Sequence, residues 1–241
     1  MKFNIGKLLF FDIESVSQHK DLYDMPEREL ETWMKYYPSM RKRVTDEKRM
    51  VGLEDETNGI VSKKCYQEVY RQTAAFFPEF GKVACVSMAF VTKGKAKYDS
   101  FSGEDELEIL KEVRKIFNKV DGLGFDLCGH SIKMFDIPFL GKRFFINGLK
   151  PPTLFPNHTT KPWEMRTLDT KDVWQFGNNW ALGSLDLVCT VLDIDSPKNG
   201  DVKGDSVTTN YWDGEHDKIK EYCERDVKAL VDIITKLNDL E

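Results

Sequence analysis

Apolar and polar positions along this chain change period repeatedly, from every second residue to every 3.6 and back. That alternation predicts interleaved strands and helices, an α/β architecture. The first clear segment, KLLFFDIES at residues 7–15, is apolar on both faces, as a central strand of a helix-covered sheet must be. Successive strand side chains point to opposite faces, so Leu8, Phe10, Asp12 and Glu14 share one face and Leu9, Phe11 and Ile13 the other. PERELETWMKYY then predicts a helix with Pro26 in its first turn and Leu30, Trp33, Met34 and Tyr37 along one side. CYQEVYRQTAAFF predicts another, with Tyr66, Val69, Tyr70, Thr73 and Phe77 on a face that stops at Pro78. Between them lies a polar, charged stretch from about Ser39 to Ser62, so residues of about 18–78 are expected to form a helical insertion with a mobile middle.

The remaining pattern predicts strands at KVACVSMAFV and AKYDSFS, a helix over EDELEILKEVRKIF, a strand at LGFDLCGH and a helix over IPFLGKRFF. A proline-rich loop from Pro151 to Pro162 precedes a short strand at MRTLDT, and GSLDLVCTVLDI reads as a helix capped by Ser184. After the turn-rich loop SPKNGDVKGDSV, one long amphipathic helix is expected from Gly214 to Leu240. No repeat or linker composition divides the chain, so a single domain over residues 1–241 is expected.

Composition narrows the class. With 41% hydrophobic and 31% charged residues and no apolar run near the roughly 20 residues of a membrane span, the chain reads as a soluble protein with no membrane partner. The N-terminal apolar run lacks a small-residue cleavage site, so no signal peptide is expected and the location predicted is cytoplasmic. The five cysteines form no CxxC pair and the four histidines show no ligand spacing, which points to reduced thiols rather than disulfides or zinc. A net charge of −5 argues against a general polyanion coat, although RKR at 41–43, KGKAK at 93–97 and GKR at 141–143 are local basic clusters.

Four acids stand out by position. Asp12 and Glu14 end a strand that should be inside, where two like charges repel and lose hydration unless a cation or proton intervenes. The bland reading is that the strand ends at Ile13 and both acids are solvated. Asp226 falls in the middle of the apolar face made by Ile219, Cys223, Leu230, Ile234 and Leu237, with Tyr222 one turn earlier. A buried Asp needs a partner, an arginine or backbone amide in the plain reading, or a cation shared with other acids. Asp136, two residues before Pro138, is explained most cheaply as a helix N-cap. Together the four would make a set of hard oxygen ligands suited to Mg²⁺ or Mn²⁺.

In this order and spacing, FDIES, GHSIKMFDIPFL and YCERD resemble the three exonuclease motifs of the DEDD superfamily of 3′ to 5′ exonucleases. Tyr222 and Asp226 have the Tyr-x-x-x-Asp spacing of the tyrosine subclass, and the chain is similar to stand-alone relatives of the family-B DNA polymerase proofreading domain. The resemblance implies an RNase H-like mixed sheet of about five strands flanked by helices, with the helical insertion after the first strand. No polymerase domain is expected after the final helix. It further implies hydrolysis of phosphodiester bonds from nucleic-acid 3′ ends, in single-stranded DNA ahead of RNA, by a two-metal mechanism with Mg²⁺ or Mn²⁺. Asp12, Glu14, Asp136 and Asp226 would be the catalytic metal ligands. Tyr222 would be catalytic by orienting water, since an ordinary tyrosine pKa of about 10 makes a poor base. Ser15, Ser131 and Phe135 would contact the terminal nucleotide, Phe135 by stacking unless it is a core residue. Ser131 stands where the motif often carries Asn. The competing readings are a noncatalytic nucleic-acid-binding module on a nuclease fold and an RNase H-type endonuclease.

Overall fold

In the computed structural model, residues 2–44, 46–51, 54–55, 60–178, 180–200, 202 and 204–240 are described. In chain order the elements are β1 (Leu8–Ser17), α1 (Glu27–Arg41), β2 (Glu54–Asp55), β3 (Ile60–Val61), α2 (Lys63–Thr73), β4 (Gly81–Thr92), β5 (Lys95–Ser102), α3 (Glu106–Gly122), β6 (Asp126–Gly129), α4 (Asp136–Ile146), β7 (Thr167–Asp169), α5 (Thr170–Gln175), α6 (Leu185–Val191), α7 (Val207–Trp212) and α8 (His216–Asn238). Five strands form one mixed sheet in the order β5-β4-β1-β6-β7, with β1 antiparallel to β4 and parallel to β6. This is the expected mixed sheet with helices on its faces.

The two faces of β1 separate as its alternation requires. Leu9, Phe11 and Ile13 pack with Leu110, Val113 and Phe117 of α3 and Leu140 and Phe144 of α4. Leu8 and Phe10 meet Val227, Leu230, Val231 and Ile234 of α8. Each fully buried side chain of this size contributes about 1.5–3 kcal/mol, so these contacts fix α8 against the face that also carries Asp12 and Glu14. The strand does not end at Ile13. It runs on to Ser17, and a register shift after Glu14 pairs Glu14 with Cys85 but Ser15 with Val83, leaving Ala84 as the extra residue of a bulge.

The helical segment after β1 has its own core, built on the fully buried Trp33 with Met40, Cys65, Val69 and Tyr70. Helix α1 runs through Pro38 to Arg41 rather than stopping at Tyr37, because buried Met40 holds the turn beyond the proline. Helix α2 stops at Thr73, sooner than expected, and passes into a 3₁₀ turn at Ala74–Phe76. Part of the stretch expected to be mobile, residues 45, 52–53 and 56–59, lies outside the described residues. The short elements α5, α7 and the β2–β3 pair carry too few residues to show a period and were not predicted.

The basic clusters are largely taken up by the fold. Arg143 is buried and gives Nε to Glu106 Oε1 at 2.8 Å and Nη2 to Glu106 Oε2 at 2.5 Å, while Glu106 also accepts the Val83 N–H at 2.8 Å. This ion pair locks α4 to α3 and the sheet. Arg41 pairs with Glu47, and Arg43 lies over the Phe77 ring. Lys93 and Gly94 form the two-residue β4–β5 turn with positive φ of 52° and 73°, a conformation that matches the twist of a hairpin.

Candidate active site

The site begins where the ladder between β1 and β6 stops. That ladder pairs only Leu8–Phe10 with Asp126–Cys128. Beyond it the chain turns away through Gly129, where a Cβ would stand 2.1 Å from Ile132 Cγ2 and 2.8 Å from the Phe11 carbonyl, so only glycine fits. The turn continues through Ser131 in the left-handed region at φ 62°. Asparagine tolerates that conformation better than serine, which gives the Asn often found at this position a backbone reason of its own.

With β6 gone, the Ile13 N–H donates to Asp136 Oδ1 at 3.2 Å. This corrects the N-cap reading. Helix α4 starts at Asp136 itself with Phe135 in the cap position, where an aromatic ring has no cap bond to offer. The loop is held from below by Asp169 at the end of β7, whose carboxylate accepts N–H groups from Ser131 at 2.8 Å, Lys133 at 3.2 Å and Lys171 at 3.0 Å. Asp169 escaped the sequence reading. Its signal was there, since it ends a predicted strand as Asp12 does.

Helix α8 supplies the other wall. Asp226 and Tyr222 are both 8% exposed. The Cys223 thiol donates toward the Asp12 carbonyl at 3.4 Å and Asp12 Oδ2 at 3.6 Å. Ligand atoms of Asp12, Glu14 and Cys223 lie within 4.8 Å of one another, a group able to hold a metal ion. Cys223 appeared in the sequence only as part of an apolar face.

Electrostatics show that the acids have been brought together. Burial, then the charges of Asp226, Asp136 and Glu14, raises Asp12 well above the usual carboxylate range. Burial, then Asp226, Cys85 and Asp136, does the same to Glu14. Burial lifts Asp136 to about 7, opposed by its backbone hydrogen bonds and assisted by Asp169 and Asp226. Asp226 is also lifted to about 7 by burial, with Arg225 and Lys198 only partly offsetting it. No salt bridge reaches any of these four acids among the described residues, so Asp226 is not the arginine-paired structural acid of the plain reading. Tyr222 is raised by burial and by Asp226, Glu14 and Asp12. Clustered carboxylates that no salt bridge engages among the described residues offer hard oxygen donors, which is a donor set fitted to hard divalent ions.

Beside Glu14, the one of the four acids that lines it, opens a cleft of about 390 Å³. Its lining includes Glu14, Ser15 and Phe135 and, from the helical insertion, Asp46, Arg49, Arg71 and Gln72. Ser15 Oγ donates to the Ala75 carbonyl at 2.7 Å. Phe135 both lines the cleft and packs on Phe139, with ring centroids 5.4 Å apart. Ser131 is not among the lining residues.

Residues 75–230 match a family described as a predicted 3′-5′ exonuclease related to the exonuclease domain of PolB. Asp136, Tyr222 and Asp226 lie inside that segment, and Asp12 and Glu14 before it. In three dimensions the chain is similar to the family B DNA polymerase from the hyperthermophilic archaeon Pyrobaculum calidifontis, with a TM-score of 0.56 at 14% identity over 95% of this chain. The chain spans 24% of that polymerase, and the likeness is one of fold, the RNase H-like sheet and helices described above. No curated protein matches.

Proposed function

The chain belongs to the family of predicted 3′-5′ exonucleases related to the exonuclease domain of PolB, and from that premise we propose that Asp12, Glu14, Asp136 and Asp226 are its catalytic metal ligands. The reaction is hydrolysis of phosphodiester bonds from the 3′ ends of single-stranded nucleic acid, DNA ahead of RNA, with Mg²⁺ or Mn²⁺. The observation that carries the reading is the convergence of four buried or half-buried carboxylates, none of them in a salt bridge among the described residues, with Asp12, Glu14 and Asp136 each raised by neighbouring acids. Two divalent ions held there supply charge stabilisation to an in-line phosphoryl displacement and let an acidic site accept a polyanion.

The chain's own groups have separable tasks. Tyr222 keeps its proton, since its pKa is raised further from neutrality, and so it positions the attacking water rather than activating it as a base. Asp136 is held in place by the Ile13 N–H, and Asp12 by the Cys223 thiol. Phe135 offers an aromatic face to the terminal base. The Ser15 hydroxyl, its proton committed to Ala75, keeps an oxygen lone pair for a sugar hydroxyl. The five cysteines are all buried as free thiols.

Matched DNA and RNA oligonucleotides incubated with Mg²⁺, Mn²⁺ or EDTA test the proposal. Digestion of DNA in either metal and none in EDTA is expected. Equal digestion in EDTA would overturn the metal assignment, and faster digestion of RNA would reverse the substrate preference.

A further inference from the structure

We propose that the helical insertion forms the phosphate-binding wall of this cleft, with Arg71 as the main contact to the backbone of a single-stranded nucleic acid whose end lies at Glu14. The inference rests on the acid cluster being the hydrolytic centre. Its physical basis is the asymmetry of the cleft. The lining from β1 carries Glu14, which repels a phosphodiester, whereas the lining from the insertion carries two guanidinium groups, Arg49 and Arg71, the amide of Gln72 and one carboxylate, Asp46, which is paired with Arg49.

Those groups are fixed before any ligand arrives. Arg71 gives Nε and Nη2 to the two Glu68 oxygens at 3.1 Å each. Gln72 Nε2 reaches Glu68 Oε1 at 2.9 Å and the Asp46 carbonyl at 3.2 Å, and Gln72 Oε1 accepts the Asp46 N–H at 3.0 Å. Asp46 in turn holds Arg49 Nε at 2.9 Å. The network ties the last turns of α2 to the segment around Asp46 and leaves the side chain of Arg71, which lines the cleft, about a third exposed. A guanidinium so anchored loses little side-chain entropy on meeting a phosphate, and its remaining N–H groups suit a phosphate oxygen.

Phe76, 51% exposed, lines the same cleft as Phe135. Cations that track a backbone beside aromatic faces that take bases are the two components of single-strand recognition. None of the basic clusters evident in the sequence supplies this wall. It comes from two arginines, Arg49 and Arg71, on the polar side of the insertion.

The test is binding of a fluorescein-labelled oligothymidylate to the full chain carrying Asp226→Asn in Mg²⁺, followed by anisotropy over a series of NaCl concentrations. Adding Arg71→Gln is expected to weaken binding about three- to tenfold and to reduce the slope of log K against log salt by about 0.7, the share of one phosphate contact on a single strand. Arg71→Gln with Glu68→Gln, which leaves no unpaired carboxylate behind, should show the same change in slope. Arg71→Lys should keep the slope because it keeps the charge. Lys142→Gln, in an exposed pair with Glu79, should change nothing. Unchanged affinity and slope in both Arg71→Gln backgrounds would overturn the inference alone if the wild type digests 3′ ends. A wild type that neither binds nor digests would overturn the underlying reading with it.

Discussion

Tyr222 lies one helical turn before Asp226 and is raised above its ordinary pKa by burial and three acids, so at neutral pH its hydroxyl is a hydrogen-bonding group and never a phenolate. Removing only that hydroxyl should therefore disturb water placement and leave the fold alone. Tyr222→Phe is expected to lower kcat by about tenfold to a thousandfold with an unchanged melting temperature. The pH profile should keep its shape, and a variant equal to wild type across that profile would remove Tyr222 from the mechanism. Much of the site at this scale was legible in the sequence, because a carboxylate on an apolar strand or helix face violates the burial rule and so announces itself. Cys223 announced nothing, and the signal of Asp169 was ambiguous. A buried thiol is ordinary, and an acid at a strand end is also what a helix cap looks like; only the folded chain shows Cys223 against Asp12 and Asp169 under Ser131 and Lys133.

Among elements, the course of β1 and α8 was readable, since the apolar faces of each are the buried ones, although β1 runs past the expected stretch to Ser17 and α8 is shorter than expected at both ends. The bulge after Glu14 and the start of α4 at Asp136 were not readable, as both depend on which neighbour the strand has at that point. The same is true of Arg143, which sits in a basic cluster in the sequence and in a buried ion pair in the fold. That pair carries a prediction. Glu106 holds Arg143, Asn147 and the Val83 N–H, so Glu106→Ala would leave a buried guanidinium without its counter-charge. Urea unfolding should show a loss of about 3–5 kcal/mol, whereas Glu106→Leu with Arg143→Met should recover most of it. A loss below about 1 kcal/mol in the single variant would mean that α3 and α4 are held by their apolar faces alone.

For the whole molecule, the acid cluster makes stability depend on protons and cations. The carboxyls of Asp136 and Asp226 are lifted to about 7 in the folded chain, against about 3.9 for an unfolded Asp, so between those values the folded state binds more protons than the unfolded one. Their contribution is therefore fully stabilising below about pH 4 and is lost as pH rises through 7. After EDTA treatment the melting temperature should fall between pH 5 and pH 8, and Asp12→Asn with Asp226→Asn should flatten that fall. At pH 8, Mn²⁺ at ten to a hundred times its Kd should add about 1.4–2.7 kcal/mol, a rise of a few degrees that the double variant lacks. A double variant much less stable than the EDTA-treated wild type would mean that these acids are structural partners instead. The central claim, that this cluster removes nucleotides from 3′ ends, is tested most directly by a time course on a 5′-labelled single-stranded DNA, with wild type and Asp12→Asn side by side in Mg²⁺. The account predicts a labelled ladder that shortens one nucleotide at a time in wild type and intact substrate in the variant. Early release of the labelled nucleotide, internal cleavage, or equal digestion by Asp12→Asn would contradict it.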